Sequence, residues 1–459
     1  MRRALLALGA ITALLLFASE GSCARAPIGP YHGPYPAPGA ITAFDTVMWR
    51  PHDETRAGAP AFLLPGSTNQ ALHKAGTLWL DPKADSVIIL LYGDNRPGYR
   101  LATTAWGVPA VMGIGSQDFP QFLWGLVNIP VAAVQLVFPK MDILRDAWSF
   151  LYSHKFTGGA QNAVLKVLQR EIGRDPRVSF VVQTGDVVED GRRGAQWEDF
   201  VRLHGPLREK VPYLATVGNH ERTFDATARK NWNAVMGSPA EDQRYWFAVD
   251  FPESIARFVF LDTNVLADPG DKYPDSLESK LANEELAWVD SALAVPARFK
   301  FVVEHHPLVT SGHYLSDWQY DDSKPAELSR RARLIDICRR RHVTAVLSGH
   351  EHLYQRSYIR GRDGRGFWHI GTGGGGAPLY RVTEREFKAA NSVVLPDSSR
   401  VTYSQTHSVY NFARLTIVRR PKHGEGEHIS LDVYGVTSRA KSYLLDHVDL
   451  THPPPPGTP

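Results

Sequence analysis

Two histidines in "SGHEHLYQR", His350 and His352, sit one residue apart, directly after the apolar run Val343–Leu347. Just past a strand end, residues i and i+2 can aim both imidazoles at one point. Two surface histidines on a turn would give the same spacing, so the rest of the chain must decide. Five other apolar runs also end in polar residues: "SVIILLYGDNR" at Asp94, "VSFVVQTGD" at Asp186, "VPYLATVGNHE" at Asn219 and His220, "RFVFLDTN" at Asp262, and "FKFVVEHHP" at His305 and His306. Leaving Asp262 aside, as a strand-end residue that fixes a turn, the set is Asp94, Asp186, Asn219, His220, His305, His350 and His352. Carboxylates, imidazoles and one amide oxygen suit Zn, Fe, Mn or Co rather than a thiolate-loving ion. The donors exceed what one ion needs. Two ions about 3.5–4 Å apart, bridged by a carboxylate, would use them.

Something must bring these residues together. Short runs rich in Val, Ile, Leu and Phe read as buried strands. Helical stretches at Gln161–Ile172, Glu284–Ala294 and Ala326–Arg341 fall between some of them. Strands alternating with helices indicate an α/β fold. In such folds ligands bind beyond the carboxyl ends of the strands, and the polar clusters stand at those ends, on one rim.

The ordered set "GDNR", "GDVVEDG", "GNHE", "HHP" and "GHEH" resembles the calcineurin-like metallophosphoesterase family. "GHEHLYQR" and the later "GTGGGG" are most similar to its purple-acid-phosphatase-like branch. The match runs from about Ser86 to Pro378. The resemblance implies a four-layer α/β/β/α sandwich of two mixed sheets flanked by helices. It also implies a dinuclear centre of divalent or mixed-valence ions (Fe, Zn or Mn). By that resemblance Asp186 bridges the ions, Asp94 and His352 bind the first, and Asn219, His305 and His350 bind the second. His305 is preferred to His306, which is left to support or packing. His220 matches a histidine that contacts the phosphoryl oxygen or leaving group. The implied reaction is attack of a metal-bridged hydroxide on a phosphate monoester. The alternatives are a phosphodiesterase acting on a nucleotide or lipid-linked phosphate, a single-metal hydrolase, and a non-catalytic surface- or membrane-binding protein on this scaffold.

The chain departs from the family pattern at two places. Arg96 stands where the family often has a metal-binding histidine, and a guanidinium cannot ligate a metal. The first site is therefore expected to be weaker or more hydrated. Arg96 is expected either to clamp a substrate phosphate through its planar fork or to form a structural salt bridge. Glu189 stands where purple acid phosphatases have a tyrosine, and is expected to hold His220 and raise its pKa. His313, in "HHPLVTSGHY", is a further candidate for the substrate pocket.

Outside the motifs, Arg2 and Arg3 precede an uncharged apolar stretch, Ala4–Phe17, and then small residues. That is an export signal over residues 1–26, giving a secreted or periplasmic protein. Lipidation at Cys23 is the alternative, although Glu20 sits where an aliphatic residue is wanted. Residues 27–85 read as a Pro/Gly-rich lead-in with N-terminal strands, 86–385 as the catalytic domain, 386–450 as strands completing the sheets, and 451–459 as a flexible tail. Within the catalytic domain, residues 97–157 exceed what a strand–helix–strand crossover needs. Phe119–Pro139 there carries no charge over 21 residues. It is expected to pack on the enzyme, to serve as a lid or membrane-surface element, or to span a bilayer, for which its length suffices although Pro130 sits mid-run. A net charge of +3 over 459 residues is too small to suggest a nucleic-acid partner. With Cys23 removed only Cys338 remains, which excludes a disulfide framework. Its helical spacing with Leu334 and Ile337 makes it a small buried hydrophobe.

Overall fold

The structure is a computed structural model. It describes residues 75–77, 85–96 and 158–454, apart from short stretches within the last of these. The expected export signal, the insertion 97–157 and its apolar run 119–139 lie outside the described residues. Among the described residues no helix is long and apolar enough to cross a membrane.

Two mixed sheets form the frame. The six-stranded sheet contains β2 (Ser86–Tyr92), β3 (Val178–Gln183), β4 (Tyr213–Ala215), β12 (Asn411–Val418), β13 (His428–Val436) and β14 (Ser442–Asp449), in the order β14-β13-β12-β2-β3-β4. The eight-stranded sheet contains β1 (Ala75–Thr77), β5 (Phe247–Asp250), β6 (Ala256–Phe260), β7 (Phe299–Val303), β8 (Ala345–Ser348), β9 (Tyr354–Arg360), β10 (Gly366–Thr372) and β11 (Arg400–His407). Its order is β1-β5-β6-β7-β8-β10-β9-β11. In the smaller sheet β2, β3 and β4 run parallel, as do β6, β7, β8 and β10 in the larger.

Period-2 alternation shows how the layers stack. Along β6 and β7, Phe258, Phe260, Phe301 and Val303 face the smaller sheet and join its Val87, Val181 and Leu415 in one core. The intervening Val259 and Val302 turn outward onto Leu286, Val289, Leu334 and Cys338. Those residues come from α4 (Asp275–Ala294) and α5 (Arg330–Arg340), which cover the outer face. The far face of the smaller sheet is covered by α1 (Gly158–Arg174), which meets β13, and by α2 (Gly194–Arg208), which packs on α1. The result is the α/β sandwich of two mixed sheets that the motif set implies. Two shorter helices, α3 (Ala226–Met236) and α6 (Glu384–Ala390), lie at the periphery.

Local chemistry explains the elements. In α5 the Ser329 side chain accepts from the Ala332 N–H, capping the first turn, while Arg339 and Arg340 complement the dipole at the last. Leu334, Ile335, Ile337 and Cys338 repeat at helical spacing and are buried. Cys338 is therefore packing, as its spacing predicts, and burial pushes its thiol well up.

Candidate metal centre

The parallel strands of both sheets open onto one rim. The turns after β2, β3 and β4 carry Asp94, Asp186, Asn219 and His220; those after β7 and β8 carry His305, His350 and His352. These turns are unusually tight. Asp94 (φ 55), Asp186 (φ 58) and His350 (φ 65) all hold left-handed backbone, a conformation costly for residues with a Cβ and concentrated at functional sites. Gly185 (φ +95) allows the closest approach, because a Cβ there would collide with the His305 ring.

One side chain ties the turns together. Glu221 accepts from Val187 N (2.8 Å) and Val188 N (3.2 Å) with Oε1. Its Oε2 accepts from Asp186 N (2.9 Å) and Gly218 N (2.7 Å). Burial and then the Asp186 charge push this carboxyl up to about 8, against the lowering effect of the Val188, Gly218 and Asp186 N–H bonds. The His220 N–H in turn donates to Asp186 Oδ1 at 3.0 Å.

Three rings are fixed by their far nitrogens. His305 Nδ1 donates to Thr184 O at 2.8 Å, and His352 Nδ1 to Pro378 O at 2.7 Å. Their Nε2 lone pairs then face the centre. Burial pushes the His305 pKa down to about 4; burial and then Arg96 push that of His352 down to about 3. Both rings are neutral near pH 7. His350 is oriented by Asp317, whose Oδ2 lies 2.9 Å from His350 Nε2. Burial works against the charged form of this ring, but the Asp317 bond outweighs it and raises the pKa. His350 Nδ1 is left facing His305 Nε2 at 3.1 Å.

The carboxylates are pulled apart. Burial, with the Asp186 charge adding to it, pushes Asp94 up to about 7. Burial also acts to raise Asp186, yet His220, His305 and Arg96 hold it below the usual carboxylate range.

Whether these residues fit a metal ion follows from the donor types. Asn219 Oδ1 and Asp186 Oδ1 lie 3.0 and 3.3 Å from His305 Nε2. His350 Nδ1 lies 3.1 Å from the same nitrogen, so three potential ligand atoms stand within 3.3 Å of His305 Nε2. Separations near 3 Å are the edges of a coordination shell with bonds of about 2.0–2.2 Å. Such a cluster of acceptors needs a cation or shared protons between them, so this group fits a transition-metal ion. A second group, Asp94, Asp186 and His352, offers ligand atoms within 4.8 Å of one another, and Asp94 Oδ1 and Asp186 Oδ2 are buried without hydrogen bonds. Its donor types also suit a metal. Here, however, the Arg96 guanidinium intervenes, with Nε 3.2 Å from Asp186 Oδ2 and Nη2 3.4 Å from His352 Nε2. Each extra unit of positive charge about 4 Å from an ion's charge costs about 4 kcal/mol per charge pair at an effective dielectric of 20.

One expectation is corrected. The Glu189 carboxylate is hydrogen-bonded to Arg96 Nη1 rather than to His220. His220 Nδ1 donates instead to the Glu189 backbone carbonyl at 2.7 Å, with the carboxylate at 3.8 Å. Of the two roles expected of Arg96, the structure shows the structural salt bridge: it is buried, with its fork turned onto Glu189 and Asp186. The arginine thus takes the acid expected to hold the histidine. His306 bonds Thr263 Oγ1 at 2.9 Å, behind the rim, while His306, Asp317 and His350 also offer donors within 4.8 Å of one another. Asp262 fixes its turn by accepting from the Asn264 backbone N–H (3.2 Å) and side-chain amide (2.8 Å). His313 lies outside the described residues. Sequence reasoning missed Asp317, Glu221 and two aromatic walls. Tyr380 stacks on His352 with centroids 4.3 Å apart, Tyr314 lies 3.9 Å from His350, and the two hydroxyls meet at 2.9 Å.

The chain is similar to several known proteins. Residues 153–354 match the family described as calcineurin-like phosphoesterase. "Probable inactive purple acid phosphatase 27" of Arabidopsis thaliana is 25% identical over 193 residues, covering 39% of this chain and 30% of that protein. "Nucleotide pyrophosphatase/phosphodiesterase" of Hordeum vulgare is 26% identical over 197 residues, covering 39% of this chain and 48% of its own length. The chain thus spans less than half of each of these relatives. A purple acid phosphatase from yellow lupin seeds aligns over 80% of this chain and 54% of its own, with TM-score 0.48 and 15% identity.

Proposed function

Since residues 153–354 carry a calcineurin-like phosphoesterase domain, we propose that the chain is an exported metal-dependent hydrolase that cleaves a phosphate monoester at the rim. The observation that supports it most is the convergence of Asn219 Oδ1, Asp186 Oδ1, His305 Nε2 and His350 Nδ1, with His220 alongside. A bound transition-metal ion supplies Lewis-acid polarisation of the phosphoryl oxygen and a lowered pKa for water. The chain's own groups do the rest. His220 is held through Nδ1 by the Glu189 carbonyl, which leaves Nε2 on the site side, 3.8 Å from Asp186 Oδ2. As imidazolium it donates a proton to the departing alkoxide while water adds to phosphorus and the P–O ester bond breaks. Such a group contributes about 10²–10⁴ in rate. Asp186, kept ionised, balances the imidazolium.

A phosphodiesterase is the second reading, because relatives named "Nucleotide pyrophosphatase/phosphodiesterase" and "Probable cyclic nucleotide phosphodiesterase" match the chain. The test is hydrolysis of p-nitrophenyl phosphate and bis-p-nitrophenyl phosphate by the metal-loaded protein, with Asn219→Ala and His220→Ala as controls. Turnover lost in both variants supports the reading, and the preferred ester separates monoesterase from diesterase. Bound metal with no turnover on either ester refutes it in favour of a binding protein. Export is supported by Arg2, Arg3 and the apolar Ala4–Phe17. Mass analysis of the N-terminus of the externally recovered protein tests it; retention of Met1 and cytoplasmic location refute it.

A further inference from the structure

We infer that the Arg96 guanidinium is a built-in cation standing in for one of two ions, so that the centre takes a single transition-metal ion, on the Asn219–His305–His350 side. The inference deepens the phosphoesterase reading and rests on it.

Asp186 carries the argument. Its Oδ1 faces His305 Nε2 at 3.3 Å, and its Oδ2 faces Arg96 Nε at 3.2 Å. The carboxylate therefore bridges a metal pocket and a guanidinium, as it would bridge two metals. The same guanidinium lies 3.4 Å from His352 Nε2 and is bonded to Glu189 through Nη1. Arginine stays protonated, so its charge cannot be titrated away to admit an ion. It is also held in place. Asn95, its neighbour, donates from Nδ2 to the Gly375 carbonyl and accepts from Gln161 Nε2 at its own carbonyl (2.9 Å). Arg96 and Glu189 are both buried, so neither swings out to solvent at no cost.

The test is metal content of the whole purified chain, incubated with excess Zn²⁺ or Mn²⁺, desalted and measured by mass spectrometry. The wild type is expected to hold about one ion and Asn219→Ala close to none. Arg96→His, which exchanges the guanidinium for a ligand, is expected to hold about two. Arg96→His/Glu189→Gln serves where the single variant, left with an unpaired buried acid, fails to fold by circular dichroism. Near two ions in the wild type overturns the inference, as does a folded Arg96→His chain that stays at one, or an ion retained by Asn219→Ala. Turnover on the two nitrophenyl esters separates this failure from that of the functional reading. Two ions with turnover overturns only the single-ion inference. One ion without turnover overturns only the phosphoesterase. A chain that binds none overturns both.

Discussion

Replacing Glu221 with glutamine changes one atom and should disturb the whole rim. The carboxylate receives four backbone N–H groups, two per oxygen, from the turns that carry Asp186 and Asn219. In the amide one oxygen remains an acceptor while the other becomes a donor facing two donors. Whichever way the side chain flips, two buried backbone N–H groups lose their acceptor, each left unsatisfied at about 1.5–3 kcal/mol, for a total of about 3–6 kcal/mol. That is a large share of the roughly 5–15 kcal/mol that holds a domain together. Thermal denaturation of the metal-free variant should show Tm lowered by about 6 °C or more. Metal affinity should also fall, since Asp186 and Asn219 lose their positions together. A Glu221→Gln protein with Tm within about 1 °C of wild type and unchanged metal affinity would refute the assignment of Glu221 as the tie between the two turns.

Three further outcomes are expected. Asp317→Asn weakens the bond that orients His350, and metal affinity measured by competition with a chelator should drop about 10–100-fold with the fold intact; an unchanged affinity counts against the role. Phe258→Ala empties the core between the sheets, where the ring packs 4.6 Å from Phe301 and 5.4 Å from Phe180, and should cost about 3–5 kcal/mol in denaturant unfolding. The Asp175 carboxyl is held below its ordinary range, chiefly by the Arg177 side chain. A depressed folded pKa gives stability that is present above about pH 4 and lost as pH falls further. Asp175→Asn should therefore cost about 1 kcal/mol or less at neutral pH, after solvent screening, and make the acid limb shallower; an acid limb identical to wild type refutes this.

The rim was legible because its residues stand at strand ends, where apolar runs stop abruptly. Five runs place Asp94, Asp186, Asn219, His305, His350 and His352 on one side by their spacing alone. Three helices were not legible, α6 being only seven residues long. α2 contains Gly205 and Pro206, which break a helical pattern, and α3 is short and mostly polar. Glu221 sat in view within "GNHE", but nothing in its type shows that it faces four backbone donors. Asp317 lies in a loop with no periodicity, so only the fold brings it to His350. The error at Glu189 has the same origin. Sequence spacing says which residues share a turn, whereas Arg96 and Glu189 meet across two strands, where the length of the arginine side chain decides the partner.

The rim is assembled from both sheets. Asp94, Asp186 and Asn219 belong to the six-stranded one; His305, His350 and His352 belong to the eight-stranded one. Neither half owns a complete set of ligands. An ion gripped there would work as a clasp on the open edge of the sandwich, adding to the apolar core and the hydrogen bonds that join the two halves. Chelation should then leave each sheet's own ladder intact and let the halves breathe at the rim. Amide exchange should quicken first in the turns after β3, β7 and β8. The protein would sense the loss of its metal as a mechanical slackening before it sensed it as a loss of fold.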